Sequence, residues 1–302
     1  MQLMKPSFEI LASSITPENF PYSYNENWKK LVEVAGRVCY KSEDKITDDS
    51  ADKFVEMIAK KGHYPVLEHS WGMMSEPDVF LPSIYIHKYI SHGQPFYVGS
   101  YRAFKEIEMG FAWESRHQPV PQEAPFRCHA MTVRFIYDRG VSHEKVRHRP
   151  MSPSQESTRY CNYAKKDEIA VIEPFFFNRN DRRKNITVPG AYYRSLDNSW
   201  TFVDDETYQM NAFDVWFLTC LWTEWGYMTL INEFGRSPQE ARDVLPNSLK
   251  TEIVLTANMT EWQHIFRLRC SEGAHPQMRE VMRPLLDTCK IQFPGVFDGI
   301  TY

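Results

Sequence analysis

Apolar residues recur at helical spacing through much of the chain, and between these stretches apolar and polar residues alternate. The helical pattern is clearest over 28–41, where Trp28, Leu31 and Val32 fall on one face. The alternation is clearest over 128–137, which predicts a strand with one buried face. We therefore expect helices and isolated strands to form a fold of the α/β (α+β) class.

Capping and breaking residues place the remaining elements. Helices are predicted over 28–41, 47–62, 100–107, 141–149, 204–234, 237–246, 260–269 and from 275 onward. Strands are predicted over 8–12, 70–75, 96–99, 128–137, 169–172 and 251–257. Residues 138–140 are expected to form a turn, and Pro284 is expected to kink or end the last helix.

Composition places the chain among globular proteins. It has 302 residues, of which 42% are hydrophobic, a formal net charge of −4 and a pI of about 6.2. It can therefore bury a sizeable core, and it lacks the global basic excess of nucleic-acid binders. Six cysteines without a Cys-x-x-Cys pair, no leader-like N-terminus and no long apolar run predict a cytoplasmic protein with no membrane partner.

One segment, 147–160, combines groups that suit an anionic ligand. It begins with Arg147, His148 and Arg149 and continues with hydroxyl and amide side chains. Arginine stays charged at any working pH and grips phosphate with a planar fork of N–H groups. Two prolines within the segment discourage a helix, so a loop is expected there. The alternative interpretation is a solvated basic loop at a helix C-terminus, where cations are favoured.

The order of residues in this segment is more specific than its composition. Arg-His-Arg, seven residues and then Ser157 resembles the signature of the flavin-dependent thymidylate synthases. Further stretches resemble segments of that family: Gly62-His63, Leu67-Glu68-His69, Tyr101-Arg102-Ala103-Phe104, 241–246 and 258–275. The resemblance covers roughly 28–70, 128–163 and 237–283.

The resemblance implies a fold and an activity. The family has a mainly antiparallel sheet flanked by helices and forms homotetramers. The chain is thus expected to be a single-domain subunit over 1–302, with elaborations at about 76–126 and 174–203. The implied reaction is reductive methylation of dUMP to dTMP. In it, 5,10-methylenetetrahydrofolate donates the one-carbon unit, tightly bound FAD carries hydride and NADPH is the reductant.

The resemblance also implies roles for single residues. Arg269 is expected to be catalytic, because a guanidinium against the uracil ring stabilises negative charge there and makes C5 more nucleophilic. Arg267, two positions away on the same helix, is expected to face away from the site. The nucleotide-binding residues are expected to be Glu144, Arg147, Gln155, Glu156, Ser157, Arg159, Arg242 and Arg269. The FAD-binding residues are expected to be His63, Pro65, Arg147, His148, Arg149, Gln155, Asn258 and His264.

Several positions depart from the family pattern. Glu144 replaces a glutamine of the nucleotide site, and Thr260 replaces an arginine of the flavin-binding stretch. Cys39 replaces a serine, and Ser154-Gln155 replaces Asn-Glu. A carboxylate at position 144 alters the protonation pattern around the nucleotide, and Thr260 removes one flavin phosphate contact.

Other functional classes give alternative interpretations. His63, Glu68 and His69 could ligate a metal, but their spacing matches no helical metal motif, so hydrogen-bonding histidines and no metal are expected. The basic and aromatic stretch 179–194 could contact nucleic acid, although the acidic net charge favours an insertion or subunit contact. Ser157 is expected to bind a ligand rather than act as a nucleophile, because no base and orienting group accompany it.

Overall fold

The computed structural model describes residues 1–75, 85–166, 169–190, 192–194, 200–202 and 204–302. The remaining positions of the two predicted elaborations lie outside the described residues. The strands are β1 (Gln2–Met4), β2 (Ser7–Ser13), β3 (Gly72–Met74), β4 (His87–Ser91), β5 (Gln94–Gly99), β6 (Ala130–Asp138), β7 (Met151–Gln155), β8 (Ala170–Ile172), β9 (Lys184–Val188), β10 (Tyr192–Arg194), β11 (Trp200–Phe202), β12 (Glu206–Met210) and β13 (Lys250–Asn258). The helices are α1 (Trp28–Val38), α2 (Ser50–Lys60), α3 (Tyr101–Glu106), α4 (Gly110–Arg116), α5 (Arg139–Lys145), α6 (Ala212–Asn232), α7 (Pro238–Ala241), α8 (Met259–Arg269) and α9 (Pro276–Gln292).

A four-stranded antiparallel sheet with the order β2-β6-β13-β7 forms the centre of the fold. The long pair β6 and β13 runs in register from Ala130 opposite Asn258 to Asp138 opposite Lys250. β7 pairs with β13 from Met151 opposite Ala257 to Gln155 opposite Ile253. Helices cover both faces of this sheet, so the predicted fold class is confirmed.

The first face of the sheet is apolar and packs on α5, α8 and α9. Alternate residues of β6 and β13 point into this core because side chains alternate along a strand. The buried cluster includes Met131, Val133, Phe135, Tyr137, Ile253, Leu255, Trp262, Phe266, Met282 and Leu286. Burial of so many large side chains makes this face a major source of hydrophobic stabilisation.

Lys145 is an exception within that core, since its side chain is fully buried. Its Nζ contacts the sulfur of Met282 and lies 4.6 Å from the ring centre of Phe135. Burial lowers the pKa of Lys145 well below its usual value, because no carboxylate compensates the lost hydration of the ammonium group in the described surroundings.

The second face packs on α1 and on the 3-10 helix Tyr64–His69. Gly36 allows α2 to approach α1 closely, since an added Cβ would lie 2.6 Å from the Phe54 ring. His69 is fully buried on this face, where its Nδ1 lies 2.8 Å from Thr256 Oγ1 and its Nε2 lies 2.9 Å from Ser154 Oγ. Burial lowers the pKa of His69 to about 3, so the ring is neutral.

In a smaller antiparallel sheet with the order β3-β5-β4, strands β4 and β5 of the first predicted elaboration pair with β3, which precedes it. It joins α3 and α4 beside the second face, with Tyr97, Phe104 and Trp113 in one buried cluster. The elaboration is therefore integrated into the core of the domain.

Strand β9 of the second elaboration pairs in antiparallel fashion with β12, which follows it, and most side chains of the two strands are exposed. It leads into α6, which leaves Trp222 and Trp225 60% and 62% exposed. Val215, Leu221 and Phe234 add to this apolar surface. None of the described helices is long and apolar enough to cross a membrane.

The structure corrects four local predictions. The segment predicted as a loop after Arg149 contains strand β7, and residues 206–210 form β12 rather than the start of a long helix. Residues 139–140 belong to α5, which ends at Lys145 and not at Arg149. The last helix, α9, passes through Pro284 to Gln292, so of the two outcomes predicted for this proline it does not end the helix.

Candidate active site

The Arg-His-Arg segment connects the end of α5 to the start of β7. Asp138 caps the N-terminus of α5, and its side chain accepts a hydrogen bond from the backbone N–H of Val141 at 2.8 Å. After the helix, successive side chains alternate between solvent and the interior: Arg147 and Arg149 are exposed, while His148 is buried. Neither arginine has an ion-pair partner in the part of the chain that is described.

Arg269 joins this segment from the last turn of α8. Its Nε donates to His148 Nε2 at 3.0 Å, and its Nη2 donates to the backbone oxygen of Glu144 at 2.7 Å. Its Nη1 lies 3.3 Å from the Glu144 carboxylate. The exposed Arg267 faces away from these groups, as its spacing on the helix predicts. A guanidinium held at three points is pre-organised to meet a ligand.

Burial and the positive charge of Arg269 lower the pKa of His148 to about 4. The ring is therefore neutral near pH 7. Because Nε2 accepts a hydrogen bond from Arg269, its proton sits on Nδ1, 3.5 Å from the Glu261 carboxylate. His264 lies beside it, with ring centres 5.7 Å apart.

His148, Glu261 and His264 place ligand atoms within 4.8 Å of one another, which is close enough for a metal ion. However, coordination through Nδ1 of His148 requires loss of its proton while Nε2 still accepts from Arg269. That arrangement demands an imidazolate, so the geometry favours a neutral hydrogen-bonded histidine. His63, Glu68 and His69 do not form such a group among the described residues.

Gln155 is the last residue of β7, and Glu156 follows it with its backbone N–H still bonded to the Glu252 carbonyl of β13 at 2.8 Å, so the two side chains point to opposite faces of the sheet. Gln155 Nε2 donates to Ser142 Oγ at 2.8 Å and to Thr251 Oγ1 at 3.1 Å, on the side of α5. Glu156 is buried on the second face. Its carboxylate is thus separated from Arg269 by the sheet.

Glu156 belongs to a buried ion cluster, which we define as Glu156, Glu252, Lys41 and Lys250. Lys250 Nζ lies 2.9 Å from Glu156, and Lys41 Nζ lies 3.3 Å from Glu156 and 2.5 Å from Glu252. Tyr163 donates to the other oxygen of Glu156 at 2.9 Å. Burial opposes the charge of Lys41, but the two carboxylates outweigh it and raise the pKa of its ammonium group.

The other predicted nucleotide residues lie at the surface. Ser157 is held by a hydrogen bond from its backbone N–H to the Cys39 carbonyl at 3.1 Å. Arg159 is exposed and lies over the ring of Tyr160, and the exposed Arg242 has a long contact of 4.0 Å with Asp243. The structure does not bring these side chains into contact with Arg269 within one chain.

A cleft runs beside Arg149 and Asn258, two of the predicted flavin residues. Trp71, His87 and Arg102 also line it, although sequence reasoning assigned them no ligand role. The resemblance of the Arg102 segment to longer relatives was the available signal for that residue. His63 and Pro65 are exposed at the start of the 3-10 helix and do not line this cleft.

Arg102 and Asn258 are both held in place at the cleft. Arg102 pairs with the carboxylates of Glu68 and Glu106. Asn258 caps α8 by accepting from the N–H of Glu261 at 2.8 Å, and its amide lies 3.3 Å from His87 Nε2. Because Glu68 and Glu106 also line the cleft and neutralise Arg102, the cleft offers an anionic molecule with flat rings the Arg149 cation, an amide and an aromatic wall.

The basic stretch around 179–194 shows less free charge than its composition suggests. Arg179 pairs with Glu173 at 3.1 Å, and Arg183 pairs with Asp214 at 2.9 Å. Acidic partners reduce the positive potential that a nucleic-acid backbone would need.

Comparisons with known proteins agree with one another. A family model described as thymidylate synthase complementing protein matches residues 111–295. A flavin-dependent thymidylate synthase of Corynebacterium efficiens is 31% identical over 171 residues, which are 56% of this chain and 61% of that protein. The alignment thus spans about three fifths of that relative. The enzyme of the same name from Corynebacterium glutamicum is 25% identical over 97% of this chain and 89% of its own.

Two matches to solved structures complete the comparison. The UMP/dUMP methylase PolB from Streptomyces cacaoi, bound with 5-Br dUMP, has a TM-score of 0.46 and 15% identity, covering 98% of this chain and 95% of its own. Thymidylate Synthase X from Helicobacter pylori, with FAD and dUMP, has a TM-score of 0.40 and 16% identity, covering 97% and 99%.

Proposed function

Because this chain belongs to the thymidylate synthase complementing protein family, we propose that it is a flavin-dependent thymidylate synthase that converts dUMP to dTMP. The family expected from the Arg-His-Arg signature is confirmed by this match. The reaction uses FAD as bound cofactor, 5,10-methylenetetrahydrofolate as one-carbon donor and NADPH as reductant. Six free cysteines support a reducing, cytoplasmic setting.

The observation that carries this proposal is the arrangement around Arg269. Its guanidinium is fixed by His148 and Glu144 but keeps N–H groups unused, and it remains 19% exposed. Placed against a uracil ring, it stabilises the negative charge that develops there and makes C5 more nucleophilic. Arg147 supplies a second cation on the same side, suited to the nucleotide phosphate.

The cleft residues fit FAD. Arg149 offers a cation with no described ion-pair partner, Trp71 offers a flat apolar wall and Asn258 offers an amide. Arg149, His148, His264 and Asn258 would hold the cofactor, which when bound supplies the hydride-transfer chemistry. The neutral state of His148 keeps it from adding charge beside the flavin.

We propose that the complete site requires a second subunit of a homotetramer. Ser157 and Arg159 lie beyond the edge strand β7, and Arg242 is exposed after α7. Together with His63 and Pro65, they are available to a neighbouring copy. Glu156 then acts indirectly, because its ion cluster anchors the backbone that presents Ser157. The exposed apolar surface of α6 supports self-association.

A visible absorption spectrum of the purified chain tests the proposal most directly. We expect flavin bands that NADPH bleaches, and formation of dTMP from dUMP and methylenetetrahydrofolate. Colourless protein that takes up no added FAD would overturn the proposal. Salt-sensitive binding to DNA by such flavin-free protein would instead support the nucleic-acid interpretation.

A further inference from the structure

We propose that the first elaboration is a cofactor-binding element, and that its His87 is a positioning residue that orients the Asn258 amide toward bound FAD. This inference rests on the proposed function and deepens it, since it adds another part of the chain to the proposed FAD site. It is carried by a contact between β4 and the cap of α8, inside the cleft that Arg149 lines.

The elaboration supplies one wall of this cleft. His87 at the start of β4 and Arg102 in α3 both line it, opposite the segment that contains Arg149. In the sheet, His87 pairs with Val98 of β5. Val98 is fully buried in the same apolar cluster as Trp71. The wall is therefore held in place by core packing.

The orientation of the Asn258 amide is set by two partners. Its Oδ1 accepts the backbone N–H of Glu261 at 2.8 Å and so caps α8. Because the oxygen is committed to this cap, the amide nitrogen faces His87, whose Nε2 lies 3.3 Å away. An amide nitrogen carries two N–H groups, and the described residues provide a partner for one of them. Since Asn258 lines the cleft, the second N–H remains for a ligand there.

This contact requires a neutral His87 ring with its proton on Nδ1. An amide nitrogen only donates, so the Nε2 of His87 must accept. Burial, and to a smaller extent the Arg127 guanidinium, lower the pKa of His87 below its usual value, which favours the neutral ring near pH 7. The ring centre lies 6.1 Å from that of Trp71, whose Nε1 donates to the Cys128 carbonyl at 2.7 Å.

The arrangement presents one hydrogen-bond donor of fixed direction to the cofactor. The flavin ring system carries carbonyl oxygens and ring nitrogens that accept hydrogen bonds. The cap alone fixes only the oxygen of Asn258, so without His87 the amide can pivot about that contact. His87 removes this freedom before FAD arrives, and pre-organisation of this kind raises affinity.

Three single variants test the contribution of His87 to FAD binding. His87→Phe keeps a flat ring without a nitrogen acceptor, so we expect the FAD dissociation constant to rise about tenfold. His87→Gln retains an acceptor and should restore most of the affinity. His92→Phe is the matched control, because His92 is exposed in the turn between β4 and β5. The dissociation constant is measured by calorimetric titration of FAD into the full chain after its flavin has been removed.

A double-mutant cycle separates positioning from a merely structural role. Asn258→Ser retains a capping side chain for α8 but has no amide N–H. In this background His87→Phe should raise the FAD dissociation constant by less than about twofold, because the contact through which His87 acts is already lost. The same tenfold loss in both backgrounds would overturn the action of His87 through Asn258.

The outcomes separate the inference from the proposed function. An unmodified chain that takes up no FAD contradicts the proposed function itself. A chain that binds FAD with the same dissociation constant in His87→Phe contradicts only the role of His87. Urea unfolding shows whether each variant is folded, and His87→Leu, which also lacks an acceptor, replaces His87→Phe if that variant is not.

The tautomer of His87 gives a measurement on the unmodified, FAD-loaded chain. Nitrogen-15 NMR of the histidine rings, with the His87 signals identified by their loss in His87→Gln, should show a proton on Nδ1 and an unprotonated, hydrogen-bonded Nε2. A proton on Nε2 would overturn the inference, since that nitrogen could not then accept from Asn258.

Discussion

Charged groups are arranged differently on the two faces of the central sheet. On the second face, Glu156 and Glu252 are matched by Lys41 and Lys250 within one buried ion cluster. Beside the first face, Arg269 has the half-exposed carboxylate of Glu144. In the segment between α5 and β7, Arg147 and Arg149 have no such partner among the residues described.

The difference separates groups that hold the fold from groups that can take a ligand. A buried charge whose partners are complete has nothing left to offer a substrate, but its loss leaves uncompensated charge in the interior. An arginine with unused N–H groups contributes little to stability and retains its capacity to bind an anion. Sequence motifs alone do not distinguish these two cases, since Glu156 and Arg159 belong to the same signature.

Glu156→Ala should produce the largest effect on stability. The variant leaves Lys250 with Glu252, and it leaves Lys41 with Glu252 and the more distant Glu43 carboxylate at 3.8 Å. Removal of one partner from a buried ion cluster costs about 3–5 kcal/mol. Urea unfolding measures the change in the free energy of unfolding. Glu9→Ala, on an exposed pair with Arg134, should cost less than about 1 kcal/mol. Equal losses from the two variants would remove the distinction between the faces.

Arg269→Ala should reduce activity and leave stability nearly unchanged. We expect dTMP formation to fall by about 10²–10³-fold, because a charge-stabilising donor is lost, while flavin binding and the free energy of unfolding change little. Arg267→Ala on the same helix is the matched control and should retain activity. Retained turnover in Arg269→Ala would refute its catalytic role.

His69 makes the second face sensitive to acid. Its pKa lies near 3 in the folded protein and at 6.5 as a free side chain, so between these values the unfolded state binds the additional proton. The free energy of unfolding therefore falls as the pH drops, by about 2 kcal/mol from this group between pH 7 and pH 5.

The measurement is urea unfolding at pH 7 and pH 5 for the unmodified chain and for His69→Gln. The variant should lose less stability on acidification by roughly that 2 kcal/mol. The same substitution at the exposed His143 controls for the change of side chain. If the unmodified chain and His69→Gln lose the same free energy of unfolding between pH 7 and pH 5, His69 is not held neutral in the fold.

Lys145→Met should have the smallest effect on the free energy of unfolding, and it should stabilise the fold rather than destabilise it. The unfolded chain keeps this lysine protonated, whereas burial lowers its pKa in the fold, so the lysine penalises folding at neutral pH and the penalty disappears toward pH 10. Methionine should raise the free energy of unfolding by about 1 kcal/mol at pH 7. Lys61→Met at an exposed position is the control, and a loss of stability in Lys145→Met would contradict this account.

Much of the fold could be predicted because local signals agreed with packing. The periodicity of α1 and the alternation of β6 mark faces that are buried in the structure. β7 was not predicted because Pro150 and Pro153 favour a loop. As an edge strand of the described sheet it tolerates Pro153, because alternate residues of an edge strand point their N–H away from the sheet, where the N–H that proline lacks is not needed.

The candidate site was less predictable for a physical reason. That Arg269 and His148 belong to one site followed from the resemblance, but their direct hydrogen bond depends on how α8 crosses the end of α5. The separation of Gln155 from Glu156 follows from the strand, which was itself not predicted. Trp71, His87 and Arg102 line the cleft through the tertiary placement of an elaboration, which no local pattern reveals.

The aromatic surface of α6 has a consequence for how such a protein behaves on dilution. Trp222 and Trp225 expose most of their rings to water, and covering them contributes free energy that depends on the concentration of chains. Thermal stability and specific activity should then both rise with enzyme concentration. An assay at nanomolar enzyme would report the extent of assembly together with the rate of chemistry.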